Sequence, residues 1–111
     1  MRFEADGDLY TTFGTGGIVT TDLRGYNDWG NSIVLQSDGK IVFGSKSSNG
    51  TDLDFAVVRY NSDGSLDTSF GGGDGKLTTY ISANDDIANC LTLQEDGKSV
   101  LAGYTDNGTT N

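Results

Sequence analysis

Two pairs of near-neighbour carboxylates, Asp52 with Asp54 and Asp85 with Asp86, come closest to catalytic chemistry in this 111-residue chain. A glycosidase works with two carboxyl groups held a set distance apart across the sugar. Neighbours on one loop do not set that distance. The chain has no His, which removes Ser-His-Asp and Cys-His nucleophiles and any His-containing metal site. We therefore expect no enzyme and no catalytic residue, and read these acids as loop residues that keep a Gly-rich protein soluble.

Calcium is the cofactor to weigh, because Asn61-Ser62-Asp63-Gly64-Ser65-Leu66-Asp67 sets oxygen atoms at alternate positions around a glycine. A bidentate Glu is missing at its far end, so an Asp-Gly hairpin turn is the expected reading, with no cofactor. The run Gly71 to Gly75 (GGGDG) has the flavour of a glycine-rich calcium repeat but occurs once. Cys90 is the single cysteine, which excludes an internal disulfide and a multi-cysteine zinc site. Ser32 stands at the matching place in the other half of the chain, so Cys90 is expected to be a small buried residue. Trp29 could stack on a sugar, but its counterpart is Ile87, which favours packing between sheets. Asn49-Gly50-Thr51 and Asn107-Gly108-Thr109 fit the glycosylation acceptor pattern and are read as Asn-Gly turns.

The elements that must position these residues are short strands. Seventeen glycines, no proline and 34% hydrophobic residues favour tight turns between strands, and no stretch carries a sustained helical apolar period. The net charge of −9, with seven Lys and Arg scattered along the chain, leaves no basic patch for nucleic acid or an anionic membrane. No apolar run is long enough to span a bilayer as a helix, and the start MRFEADGDLY has no hydrophobic signal core. Export, if it occurs, is not encoded here.

The chain repeats itself. Arg2 to Gly14 matches Arg59 to Gly71 at an offset of 57; an extra residue near Gly73 then changes the offset to 58, at which Asn27 to Lys40 matches Asp85 to Lys98. We divide the region 1–111 into a first repeat, 1–58, and a second, 59–111. Within a unit, apolar runs between turn residues give strand A at Asn31 to Gln36, B at Lys40 to Ser45, C at Asp54 to Tyr60 and D at Gly75 to Tyr80. The turns Asp38-Gly39 and Asp63-Gly64 then share one end of the sheet. Trp29 and the connection Lys46 to Leu53 share the other. Apolar residues on both faces of B and C require a sheet covered on both sides. Ile33, Leu35, Leu91 and Leu93 are expected to face a shared core.

The segments NDWGNSIVLQSDGK, DFAVVRYNSDGSLDTSFG and GKLTT together resemble the Delta-60 repeat, a bacterial propeller-type repeat, over essentially the whole chain. The fold expected is all-β, with four-stranded antiparallel blades in a fragment of about two blades of a β-propeller. The resemblance implies an extracellular or cell-envelope repeat protein without established catalytic residues. The function expected is a non-enzymatic structural or interaction module, the alternative being a calcium-dependent carbohydrate-binding propeller. Partners are a protein or glycan met by the long-loop face through Asp22, Asp28, Asp52, Asp85, Asp86 and Asp106; neither nucleic acid nor membrane insertion is expected. Reading from the end of C through D, A-B-C-D, A and B leaves one complete sheet and two halves. Such halves expose edges and apolar faces, so a longer array or a head-to-tail homo-oligomer is expected to cover them.

Overall fold

The computed structural model describes residues 1–106. It is all-β, with β1 (Asp28–Leu35), β2 (Ile41–Ser48), β3 (Leu53–Tyr60) and β4 (Lys76–Thr79) in an antiparallel sheet of order β1-β2-β3-β4. A second sheet pairs β5 (Asp86–Leu93) with β6 (Ser99–Thr105). The four strands match the expected A to D in order and pairing. β1 starts three residues before strand A was placed and β2 runs to Ser48, because Asp28, Trp29 and Gly30 pair with Ser47, Lys46 and Ser45 although these residues are polar. Among the described residues, no helix is long and apolar enough to cross a membrane.

The turns close as their residues dictate. Gly39 and Gly64 both take positive φ, and a Cβ on Gly39 would lie 3.4 Å from Ser62 Cβ, so the two Asp-Gly turns sit side by side. At the other end Lys46 Nζ lies 5.2 Å from the centre of the Trp29 ring, and the Leu53 N–H donates to Asp85 Oδ1. Asn49 Oδ1 accepts from the N–H groups of Thr51 and Asp52, which makes Asn49-Gly50 the turn expected there. Asn107-Gly108-Thr109 lies outside the described residues.

The internal repeat extends to the hydrogen bonds. Arg2 N–H donates to Gly17 O and Tyr10 N–H to Arg2 O, as Arg59 N–H donates to Gly75 O and Asp67 N–H to Arg59 O. Residues 18–21 nevertheless form no strand, whereas their counterparts in β4 do. β4 exists because Lys76 to Thr79 pair with Val58 to Phe55 of β3, and a lone segment has no ladder to join.

Sheet 1 packs sheet 2 on one of its faces only. A Cβ on Gly44 would lie 3.3 Å from Leu91 Cβ and 2.8 Å from Leu101 Cδ1, so the row Ser32-Gly44-Val57 looks at sheet 2. Leu91, 4% exposed, Val42 and Ala88 fill this seam. Ile33 pairs with Phe43, and Phe43 with Val58, on the opposite face. The expected shared core is thus corrected. Ile33 and Leu35 are 60% and 70% exposed because repeated residues face successive seams rather than one. Cys90 is corrected likewise: it is exposed, since it lies on the outer face of sheet 2, as its counterpart Ser32 lies on the inner face of sheet 1.

Candidate interaction surfaces

At the long-loop end most of the carboxylates hold backbone rather than face outward. Asp86 is fully buried and accepts from the N–H groups of Ile81 (2.9 Å) and Ser82 (3.1 Å) and from the Ser82 hydroxyl. Burial opposes its ionisation, yet those three donors outweigh it and keep its carboxyl below the ordinary value. Asp28 repeats the arrangement by accepting from Leu23 N–H at 3.0 Å. Asp54, 3% exposed, pairs with Arg24 at 2.8 Å, while Asp52 Oδ1 accepts from Asn49 Nδ2. Asp85 receives Leu53 N–H, and Asp22 receives Gly25 N–H. Of the six acids expected to be presented to a partner, Asp86 is therefore corrected to a buried loop staple. Asp52 and Asp54 share a donor, the Asn49 Nδ2 amide, while Asp85 and Asp86 are turned to different backbone groups, Leu53 N–H for the first and the N–H groups of Ile81 and Ser82 for the second.

This end also exposes aromatic side chains. Trp29 is 42%, Tyr26 59% and Tyr104 55% exposed. Trp29, expected to pack between sheets, is partly open, and its ring lies beside the Lys46 ammonium at the strand margin. Tyr26 stands against Gly50 of the neighbouring loop, where an added Cβ would meet its ring at 2.9 Å.

The hairpin end is built around one buried carboxylate that two cations share. Asp67, 4% exposed, accepts from Lys40 Nζ at 2.7 Å, Arg59 Nε at 2.8 Å and the Ser69 hydroxyl at 2.6 Å. Lys40 first, then Ser69 and Arg59, hold its carboxyl well below the usual carboxylate range. A loop whose terminal carboxylate already serves two cations is poorly suited to calcium, and Asp63 is turned to Ser65. In the first half of the chain Tyr10 replaces Asp67, and the Arg2 guanidinium lies 4.9 Å from the Tyr10 ring.

The Asp67 pair carries a pH signature. Its pKa is lower folded than unfolded, so its stabilisation is complete above about pH 4 and is lost as pH falls toward the folded value. Asp67→Asn is expected to lower the melting temperature at neutral pH and to flatten the acid limb of the melting temperature. An acid limb unchanged by the substitution would remove Asp67 as its cause.

The third surface is an apolar cleft of about 710 Å³ on the free face of sheet 1. Ile33, Leu35, Phe43 and Val58 form its floor, and Phe13 and Val19 of the N-terminal segment form one wall. That segment is tied down by Arg2 Nη1 donating to Ser62 O, Gly14 N–H to Asp63 O and Tyr60 hydroxyl to Thr21 Oγ1. The Phe43 ring lies over Gly30, where a Cβ would come within 2.1 Å of it. The corresponding pair in sheet 2 is Leu101 with Ala88, a smaller side chain over a larger one.

Residues 36–70 match the family model of a β-propeller domain of unknown function (DUF5122). The matched stretch runs from the first hairpin turn through β2 and β3 to Phe70, and so holds both Asp-Gly turns and the Lys40–Asp67–Arg59 pair. The four-stranded sheet around it has the architecture of one propeller blade, and β5 with β6 that of the first two strands of another. Comparisons with curated proteins and with solved structures gave no match. Sequence reading missed the two loop staples, Asp28 and Asp86, and the Asp67 hub. The first signal was available: an Asp five residues after an apolar residue at the same place in both halves.

Proposed function

We propose that the chain is about two copies of a Delta-60-type repeat, 1–58 and 59–111, serving as a non-enzymatic structural or interaction module of an extracellular or cell-envelope protein. Its long-loop end is the face offered to a protein or glycan partner, whether the module stands in a longer array or assembles with its own copies. One observation carries this reading. Four acids of that end, Asp22, Asp28, Asp85 and Asp86, hold backbone donors, which fixes the loops, while Tyr26, Trp29 and Tyr104 stay exposed beside them. Rigid aromatics with polar neighbours suit contact with a sugar face or a protein side chain and cost little conformational entropy on binding.

Trp29 is the single Trp and reports on this end directly. Titration with a neutral hexose oligomer, a chitosan oligomer and polylysine is expected to shift its emission with at least one probe, and Tyr26→Ala is expected to weaken that response. Emission unmoved by all three probes would overturn the assignment of the long-loop end.

The calcium-dependent alternative has one observation in its favour. Asp28 Oδ1, Ser45 Oγ, Ser47 Oγ and Asp54 Oδ1 are buried with no protein hydrogen-bond partner, and Asp28, Ser47 and Asp54 form one cross-strand row. Arg24 on Asp54 works against a cation there. A melting temperature that rises in millimolar calcium would favour the alternative by mass action, and an unmoved one would dismiss it.

A further inference from the structure

The seam between the two sheets is written twice in this chain, once closed and once open. In the closed seam, side chains of β1 and its turn reach across to the backbone of sheet 2. Asn31 Nδ2 donates to Ala88 O, Ser32 Oγ accepts from Leu91 N–H at 3.3 Å, and Gln36 Nε2 donates to Gly97 O at 3.3 Å. Fifty-eight residues on, the reaching positions are Asn89, Cys90 and Gln94, all exposed. Fifty-eight residues back, the receiving positions Ala88, Leu91 and Gly97 become Gly30, Ile33 and Gly39 on sheet 1.

The apolar parts correspond in the same way. Val42 and Gly44 of the closed seam recur as Val100 and Ala102 on the outer face of sheet 2, and Val100 is 42% exposed. Leu91, Leu93 and Leu101 recur as Ile33, Leu35 and Phe43, the floor of the 710 Å³ cleft. The two open faces are therefore the two sides of a joint whose closed form exists within the molecule. β6 is also a sheet edge among the described residues, and Met1 and Arg2, the counterparts of the end of β3, with Val19 and Thr21, the counterparts of β4 residues, line the cleft beside the place where such an edge would arrive.

We propose that the cleft on sheet 1 is the docking site for the β5–β6 hairpin of a second copy of this chain, in a head-to-tail contact. Asn89 of the incoming copy meets Gly30 O, Cys90 meets the Ile33 N–H, and Val100 and Ala102 cover Ile33 and Phe43. The contact is heterologous: each copy gives one face and receives on the other, so it can continue from copy to copy. This inference rests on the reading that the module assembles with its own copies, and it is independent of what the long-loop end binds.

Light scattering over a range of concentrations tests the contact. Association is expected to rise with concentration and to strengthen with added salt, because each copy carries a net charge of −9 that salt screens. Ile33→Asp and Val100→Asp alter exposed positions on opposite faces, so each is expected to fold and to remain monomeric. Mixed together, they are expected to form a 1:1 dimer and nothing larger, because each keeps the face the other has lost. In a second measurement the short distance between a Cβ on Gly44 and Leu91 Cβ, 3.3 Å, transfers to Ala102 of one copy and Ile33 of the next. That is close to the Cβ separation of a disulfide, about 3.5–4.5 Å. The variant Ile33→Cys, Ala102→Cys, Cys90→Ser is expected to give a ladder of multimers on a non-reducing gel, and either cysteine alone no more than dimers. A wild-type chain monomeric up to about 1 mM, the weak end of specific association, or a mixture of the two Asp variants that stays monomeric, would overturn the proposal.

Discussion

Leu91→Ala is expected to lower the stability of the fold by about 2–5 kcal/mol, the range for a buried leucine whose site cannot collapse. Leu91 is 4% exposed and stands against Gly44, which has no side chain to move into the space. Leu35→Ala removes the same atoms from a position 70% exposed, and its expected cost is below about 0.5 kcal/mol. Urea denaturation of both variants at low protein concentration measures the contrast. Equal costs would mean that the two faces of sheet 1 are not the closed and open seams described.

Gly71→Ala is expected to cost about 2–5 kcal/mol for a different reason. Gly71 has φ +71°, where an alanine pays about 1–2 kcal/mol. A Cβ there would also lie 2.1 Å from Lys76 O, a backbone atom at the start of β4 that cannot rotate aside. The displacement this forces adds about 1–3 kcal/mol of overpacking. Gly72→Ala is the control, since it shares the positive φ but an added Cβ meets nothing within 4 Å. Its cost is expected to be the conformational share alone. Thermal unfolding that ranks Gly72→Ala at or above Gly71→Ala would show that the close approach to Lys76 is not what requires glycine.

The strands and hairpin turns were legible because apolar runs such as Ile41-Val42-Phe43 and Phe55-Ala56-Val57-Val58 are bounded by Asp-Gly pairs, and both signals are local. The end of β2 was not legible. Lys46, Ser47 and Ser48 carry no hydropathy, and only their pairing with Phe55, Asp54 and Leu53 makes them strand. Asp28 and Asp86 looked like solvent-facing loop acids since the groups they hold, the N–H of Leu23 and of Ile81, are backbone groups that every residue has, and only the recurrence of the Asp five residues after an apolar residue marks them. The placing of Ile33 and Leu91 in one core failed on symmetry: a repeat shows that two residues are equivalent, and equivalence under a translation sends them to different seams. Cys90 failed with them, because small residues suit a seam whether or not that seam is filled.

The point where the offset changes from 57 to 58 has a consequence for how such a gene can change. Gly17 N–H reaches Phe13 O at 2.9 Å, and Gly75 N–H reaches Phe70 O at 3.0 Å, although the second loop is one residue longer. The same closure thus tolerates two lengths, and the extra room lies at Gly72 and Gly73, where an added Cβ would meet no other atom within 4 Å. Codons gained or lost there leave the downstream ladder in phase. A recognition peptide or a dye-binding tag spliced between Gly72 and Gly73 would ride outside the sheet, giving the scaffold a built-in cloning site.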